Sequence, residues 1–186
     1  MHPETPLPRR LGRPLALATA CVALALPASA LADSGGTSAP GSGGGGGDAR
    51  AGKARLVDGR AVAPSNAPAR IKKVIDAANR IAKGKGYCYG GGHSSFRDNC
   101  YDCSGAVSYA LHGGRFVKSP MPSSGYFNWG RKGRGDWMTV YTSSGHMYAV
   151  IAGLRFDTSM TKGKGPGWSK QMRSSSGFKV RHRKGF

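Results

Sequence analysis

Along residues 67–83 the apolar positions Ile71, Val74, Ile75, Ala78, Ile81 and Ala82 recur at spacings of three and four, with lysines and arginines between them. That period lays one apolar stripe along a helix. Asn66 and Pro68 suit its start, and Gly84 and Gly86 suit its end. Residues 103–111 repeat the period, placing Ala106, Val107, Ala110 and Leu111 on one face before Gly113-Gly114 stops the run. Asp102 stands at the start of this second helix, where a short polar side chain bonds exposed amides. The pattern then changes. Residues 137–141, 147–151, 154–158 and 178–182 are β-rich, and the middle two flank an Ala152-Gly153 turn. Helices first and an antiparallel sheet after them predict an α+β domain.

The chain before residue 67 shows neither period. Arg9, Arg10 and Arg13 make a positive start, residues 14–26 are almost wholly apolar, and Ala28-Ser29-Ala30 or Ala30-Leu31-Ala32 offers small residues for cleavage. This predicts an export signal over residues 1–32. The apolar run is short for a bilayer and is broken at Pro27, which argues against a membrane span. Residues 34–47 are nearly all Gly, Ser, Ala, Thr and Pro, a composition that cannot bury apolar surface. The expected organisation is a signal peptide over 1–32, a flexible Gly/Ser-rich linker over 33–66 and one catalytic domain over 67–186. The expected product is a secreted, extracellular or wall-associated monomer with no stable membrane span in the mature chain.

Charge narrows the partners. The formal net charge is +19, and removing residues 1–32 takes away three arginines and Glu4, leaving +17 and no glutamate. Such a field attracts polyanions. For an exported protein it points to anionic wall polymers and not to nucleic acid.

The cysteines bear on chemistry. Without Cys21 the chain keeps Cys88, Cys100 and Cys103, an odd number, so in an oxidising compartment at least one thiol is left over. A thiol at a helix N-terminus is easier to ionise and hence more nucleophilic, which makes Cys103 the candidate nucleophile. An imidazole should take its proton and hand it to a leaving amine. His146 is the best placed, because Gly145-His146 leads the strand of residues 147–151, whereas His112 lies at the far end of the Cys103 helix. His93 and His182 are left as structural or surface groups. With a two-residue turn at Ala152-Gly153, Ile151 faces Leu154 and Tyr148 faces Asp157, so Asp157 projects on the His146 side and is the candidate orienting group. A one-residue bulge would hand that role to Thr158 or Ser159. The Cys103 amide and the Tyr87 hydroxyl are candidate oxyanion donors. Two other readings of Cys103 stand beside this one: a disulfide with Cys100, and a zinc site built on the Cys100-x-x-Cys103 spacing.

Gly-Tyr-Cys-Tyr-Gly-Gly at 86–91, Asp-Cys-Ser-Gly at 102–105, Gly-Asp-Trp at 135–137 and Gly-His at 145–146, taken in order, resemble the NlpC-like cell-wall endopeptidases, a papain-like group. The resemblance covers residues 70–160. It implies a papain-like NlpC-type fold, with N-terminal helices packed on a small antiparallel sheet. By matching position it implies Cys103 as nucleophile, His146 as base and Asp157 as the third polar residue. Tyr87, Asp102 and Ser104 become substrate-binding, the last two holding the free amino end of a stem peptide. The implied activity is hydrolysis of the amide between the D-glutamate side chain and a diamino acid in peptidoglycan, with no metal and no cofactor. A peptidoglycan amidase or acyltransferase on the same scaffold is the alternative, as is a non-catalytic basic wall-binding protein. Cys88 and Cys100 depart from the family pattern; a bridge between them would account for both and leave Cys103 free. Asp157 departs too, since an imidazole is common at its position.

Overall fold

The computed structural model describes residues 51–159 and 164–186; the expected signal segment and the first part of the expected linker lie outside them. Two helices pack on one another and against a six-stranded antiparallel sheet, an α+β arrangement. Helix α1 (Ala69–Ile81) buries Ile71, Val74, Ile75, Ala78 and Ile81, the stripe its period requires. Helix α2 (Cys103–Gly113) turns Ala106, Val107, Ala110 and Leu111 into the same core.

The order of structure begins earlier than the sequence predicts. Residues 55–62, expected to be flexible linker, form a hairpin of β1 (Arg55–Val57) and β2 (Arg60–Val62). Its turn is Asp58-Gly59, both at positive φ (47° and 75°), a dipeptide suited to a two-residue hairpin. A polar residue inside α1 fixes the hairpin: Ala61 N–H donates to Asn79 Oδ1 at 2.9 Å, Asn79 Nδ2 donates to Ala61 O at 2.8 Å, and Trp168 Nε1 donates to the same Oδ1 at 2.9 Å. Asn79 is buried, so these bonds offset the cost of placing an amide there.

The main sheet comprises β3 (Arg131–Lys132), β4 (Met138–Thr142), β5 (Met147–Ile151), β6 (Leu154–Asp157), β7 (Gly167–Ser169) and β8 (Lys179–His182), in the order β3-β8-β4-β5-β6-β7. A 3₁₀ turn at Ser123–Tyr126 lies against β4. Strands β4, β5, β6 and β8 fall where the β-rich runs place them, to within a residue at each end. Strands β3 and β7 are two and three residues long, too short for an alternation to show.

Between α1 and α2 the glycine loop is tied down. Cys88 and Cys100 form a disulfide, Tyr101 N–H donates to Gly86 O at 3.0 Å, and Asp102 N–H donates to Gly91 O at 3.1 Å. Gly105, in the first turn of α2, lies directly under this loop, where a Cβ would overlap the Gly91 carbonyl. That atom is backbone and cannot swing aside. Gly105→Ala is therefore expected to destabilise the domain by about 2–4 kcal/mol, as overpacking against rigid backbone does. The expected readout is a lower urea midpoint with an unchanged m-value. A midpoint equal to wild type would contradict the close approach.

Candidate active site

Helix α2 starts at Cys103 because Asp102 caps it: the Asp102 backbone is extended and its Oδ1 accepts from Gly105 N–H at 2.7 Å. As the first helical residue, Cys103 has an amide with no carbonyl behind it in the helix. Its side chain is half-buried, and among the described residues it is the free cysteine. The Cys88–Cys100 bridge thus decides among the pairings left open by three thiols, and removes both the Cys100–Cys103 disulfide and the zinc reading.

His146 ends the turn between β4 and β5. Ser143 N–H donates to His146 O at 2.8 Å, and His146 N–H donates to Ser143 Oγ at 3.1 Å, so the residue is fixed on its backbone before its ring is used. The ring neighbours the Cys103 side chain on one edge and bonds Asp157 on the other, with Nε2 2.9 Å from Asp157 Oδ1. Since Nε2 is engaged by the carboxylate, Nδ1 is the nitrogen left to face the thiol. The β5–β6 register supplies this meeting: Ile151 pairs with Leu154, with Ala152 and Gly153 both at positive φ between them. No bulge interrupts that pairing, so Asp157 reaches His146 and neither Thr158 nor Ser159 takes its place.

Asp157 has a fully buried side chain. Oδ1 also accepts from Ser159 N–H at 3.0 Å, Oδ2 accepts from Arg173 Nη1 at 3.3 Å, and Arg155 Nε lies 3.7 Å from Oδ2. Burial alone would push this carboxyl up, but the bonds from His146 and Ser159 outweigh it and hold it down at about 2. Burial likewise works against the charged form of His146. The bonds to Asp157 and Cys103, and their charges, overcome it and raise the imidazole to about 9. At neutral pH the ring therefore carries its second proton beside the thiol.

Arg155 and Arg173 were not singled out from the sequence. Arg173 follows in an unpatterned stretch, and its guanidinium lies 5.4 Å and 5.5 Å from the ring centres of Tyr148 and Phe178. The one available signal was physical: a buried carboxylate facing a single imidazole needs further donors.

His93, left as a structural or surface group from the sequence, stands in the cleft. Its Nε2 is 2.9 Å from both Ser104 Oγ and Asp102 Oδ2, while Ser104 Oγ donates to Asp102 Oδ1 at 3.1 Å. The cleft has a volume of about 430 Å³, and its walls include Tyr87, His93, Asp102, Cys103, Ser104 and Phe127. All six site residues expected from the sequence thus lie in one region. Cys103, His146 and Asp157 follow one another in that order, the last two hydrogen-bonded, while Tyr87, Asp102 and Ser104 line the cleft beside the thiol. Burial and the nearby charges of Cys103 and Asp102 push the Tyr87 phenol up, so it keeps its proton and remains a donor. A thiol beside an imidazole that a carboxylate holds is equipped for acyl transfer. Among the described residues no cluster of three His, Cys, Asp or Glu side chains could hold a metal, and no helix is long and apolar enough to cross a membrane.

No family model and no curated protein matches the chain. Among solved structures it is similar to the peptidoglycan hydrolase RipB from Mycobacterium tuberculosis, at 25% identity and a TM-score of 0.47, covering 65% of this chain and 68% of that one. It is similar to the P60 domain of an M. avium subspecies paratuberculosis antigen at 21% identity and a TM-score of 0.42, covering 60% and 93%. The resuscitation promoting factor interacting protein RipA, in a form mutated at one histidine, gives 20% identity and a TM-score of 0.43. That match covers 61% of this chain and spans 62% of the length of RipA.

Proposed function

We propose that this protein is a secreted cysteine peptidase that hydrolyses amide bonds in peptidoglycan stem peptides, at the link between the D-glutamate side chain and a diamino acid. The observation that carries the chemistry is the chain from the free Cys103 thiol to His146 to the buried Asp157. The peptidoglycan substrate rests on the motif resemblance and on the strongly basic charge, which suits an anionic wall. Neither a metal nor a cofactor has a part in the scheme.

Cys103 Sγ, its proton held by His146, attacks the carbonyl carbon and forms the S–C bond. The oxygen that gains charge is met by the Cys103 amide and the Tyr87 hydroxyl. The C–N bond then breaks as His146 passes its proton to the departing amine of the diamino acid. A water molecule attacks the thioester, giving one proton to His146; the S–C bond breaks to release the glutamyl carboxylic acid and restore the Cys103–His146 pair, and the acid gives its remaining proton to solvent as a carboxylate. Asp157 keeps its charge throughout and holds the ring in the tautomer and direction that both half-reactions need.

Two measurements test this. Brief alkylation of the unreduced mature protein at neutral pH should give a single rapid adduct, mapped to Cys103. Mass spectrometry of digested peptidoglycan should then show a new free amine on the diamino acid and a sugar-linked dipeptide ending in glutamate. Release of whole stem peptides from the sugar would make the enzyme an amidase, and no product from any muropeptide would leave a wall-binding protein.

A further inference from the structure

Asp102 has no room for a ligand. Oδ1 accepts from Gly105 N–H at 2.7 Å and from Ser104 Oγ at 3.1 Å; Oδ2 accepts from Gly90 N–H at 3.2 Å and lies 2.9 Å from His93 Nε2. A carboxylate offers about four lone-pair sites, and these four contacts use them. The group is buried. It therefore cannot receive a substrate ammonium while His93 is in place, which is the role that the motif resemblance alone would give it.

Proton accounting places a proton on His93 Nε2. Ser104 has one hydroxyl proton and donates it to Asp102 Oδ1, so its 2.9 Å contact with His93 requires the ring to donate. Nε2 therefore carries a proton, shared between Ser104 Oγ and Asp102 Oδ2. Nδ1 makes no hydrogen bond among the described residues, on a side chain that is one-third exposed in the cleft wall. The ring covers the carboxylate and presents in its place the Nδ1 edge of an imidazole.

We infer that His93 sets the specificity of the cleft for stem peptides whose first residue is acylated, as it is while still joined to the sugar, over peptides with a free amino terminus. This rests on the peptidase reading above. An acylated amino end meets this edge as a neutral amide, whose single N–H the Nδ1 of a neutral ring accepts. An ammonium must be stripped of water at three donors and finds one acceptor, with the nearest carboxylate sealed behind the ring. Specificity here comes from withholding a counter-charge as much as from the bond that is made.

The test uses one peptide, L-alanyl-γ-D-glutamyl-diamino acid, with its amino terminus either free or N-lactylated, and three proteins: wild type, His93→Ala and His93→Gln. Wild type should favour the lactylated peptide in kcat/KM by about tenfold or more. His93→Ala uncovers Asp102 and should invert that ratio in favour of the free amine. His93→Gln can still donate an amide N–H to Asp102 and should keep the wild-type preference, which separates specificity from damage to the fold. Calorimetric binding of both peptides to the Cys103→Ala protein gives the same comparison without turnover. Equal ratios in wild type and His93→Ala, or a wild-type preference for the free amine, would overturn the inference and leave the peptidase reading standing. If neither peptide binds or is cut, the peptidase reading falls and the specificity inference falls with it.

Discussion

Cys103→Ala is expected to lower muropeptide hydrolysis by about 10⁴-fold or more, because the S–C bond has no other atom to form on and what remains is binding and polarisation by the cleft. Stability should change by less than about 0.5 kcal/mol, since the side chain is half-buried and alanine is well suited to a first helical turn. The pairing of lost turnover with a retained melting curve is the informative result. Residual activity within tenfold of wild type would place the nucleophile elsewhere and remove the acyl-enzyme scheme.

The second large effect falls on the buried carboxylate. Asp157→Ala removes the partner of His146 Nε2 and leaves Arg155 and Arg173 facing an empty, desolvated space. Breaking such a cluster from one side should cost about 2–4 kcal/mol in stability. A free-swinging ring should cost about a hundredfold in kcat. Asp157→Asn separates the two contributions. Its carbonyl still accepts from Nε2 and holds the ring, but the charge that raises His146 to about 9 is gone. The form with the proton on His146 is then lost at lower pH. The alkaline limb of kcat/KM should move from near 9 in wild type toward the ordinary imidazole range in the variant, with kcat at pH 6 changed far less than in Asp157→Ala. An unmoved limb would show that Asp157 does not govern the ring.

The same two groups set how stability depends on pH. His146 is raised above its usual 6.5, so its contribution is complete below that value and is lost as pH rises through about 9. Asp157 is depressed below its usual 3.8, so its contribution is complete above that value and is lost as pH falls through about 2. Between about 4 and 6.5 both are in force, and chemical denaturation across this window should find the stability due to this pair at its maximum.

How much of this could be read before the structure follows from the range of each interaction. The two helices and strands β4, β5, β6 and β8 were legible because their periods are local. The His146–Asp157 meeting was legible because a two-residue turn fixes the register of its hairpin and hence which residues share a face. The β1–β2 hairpin was missed although Asp58-Gly59 is a turn signal, because its strands are three residues long and its anchor, Asn79, lies in the next helix. Arg173 was out of reach because the need it meets is created by burial of a group 16 residues away. His93 was set aside because a histidine after three glycines carries no pattern; its meaning depends on Asp102 having all its acceptor sites filled, a count that requires coordinates.

That count also bears on how this cleft can change over generations of mutation. Asp102 holds the start of α2 through Gly105, pins the loop through Gly90, and supports the wall through Ser104 and His93. A substitution there would damage the helix that carries the nucleophile along with any preference among substrates. His93 holds no helix and no strand; apart from a local backbone bond to Gly90, its ties are to Asp102 and Ser104. The costly position is thus frozen and the inexpensive one beside it is free to vary, so lineages built on this scaffold can exchange one substrate for another at residue 93 while the catalytic apparatus stays intact.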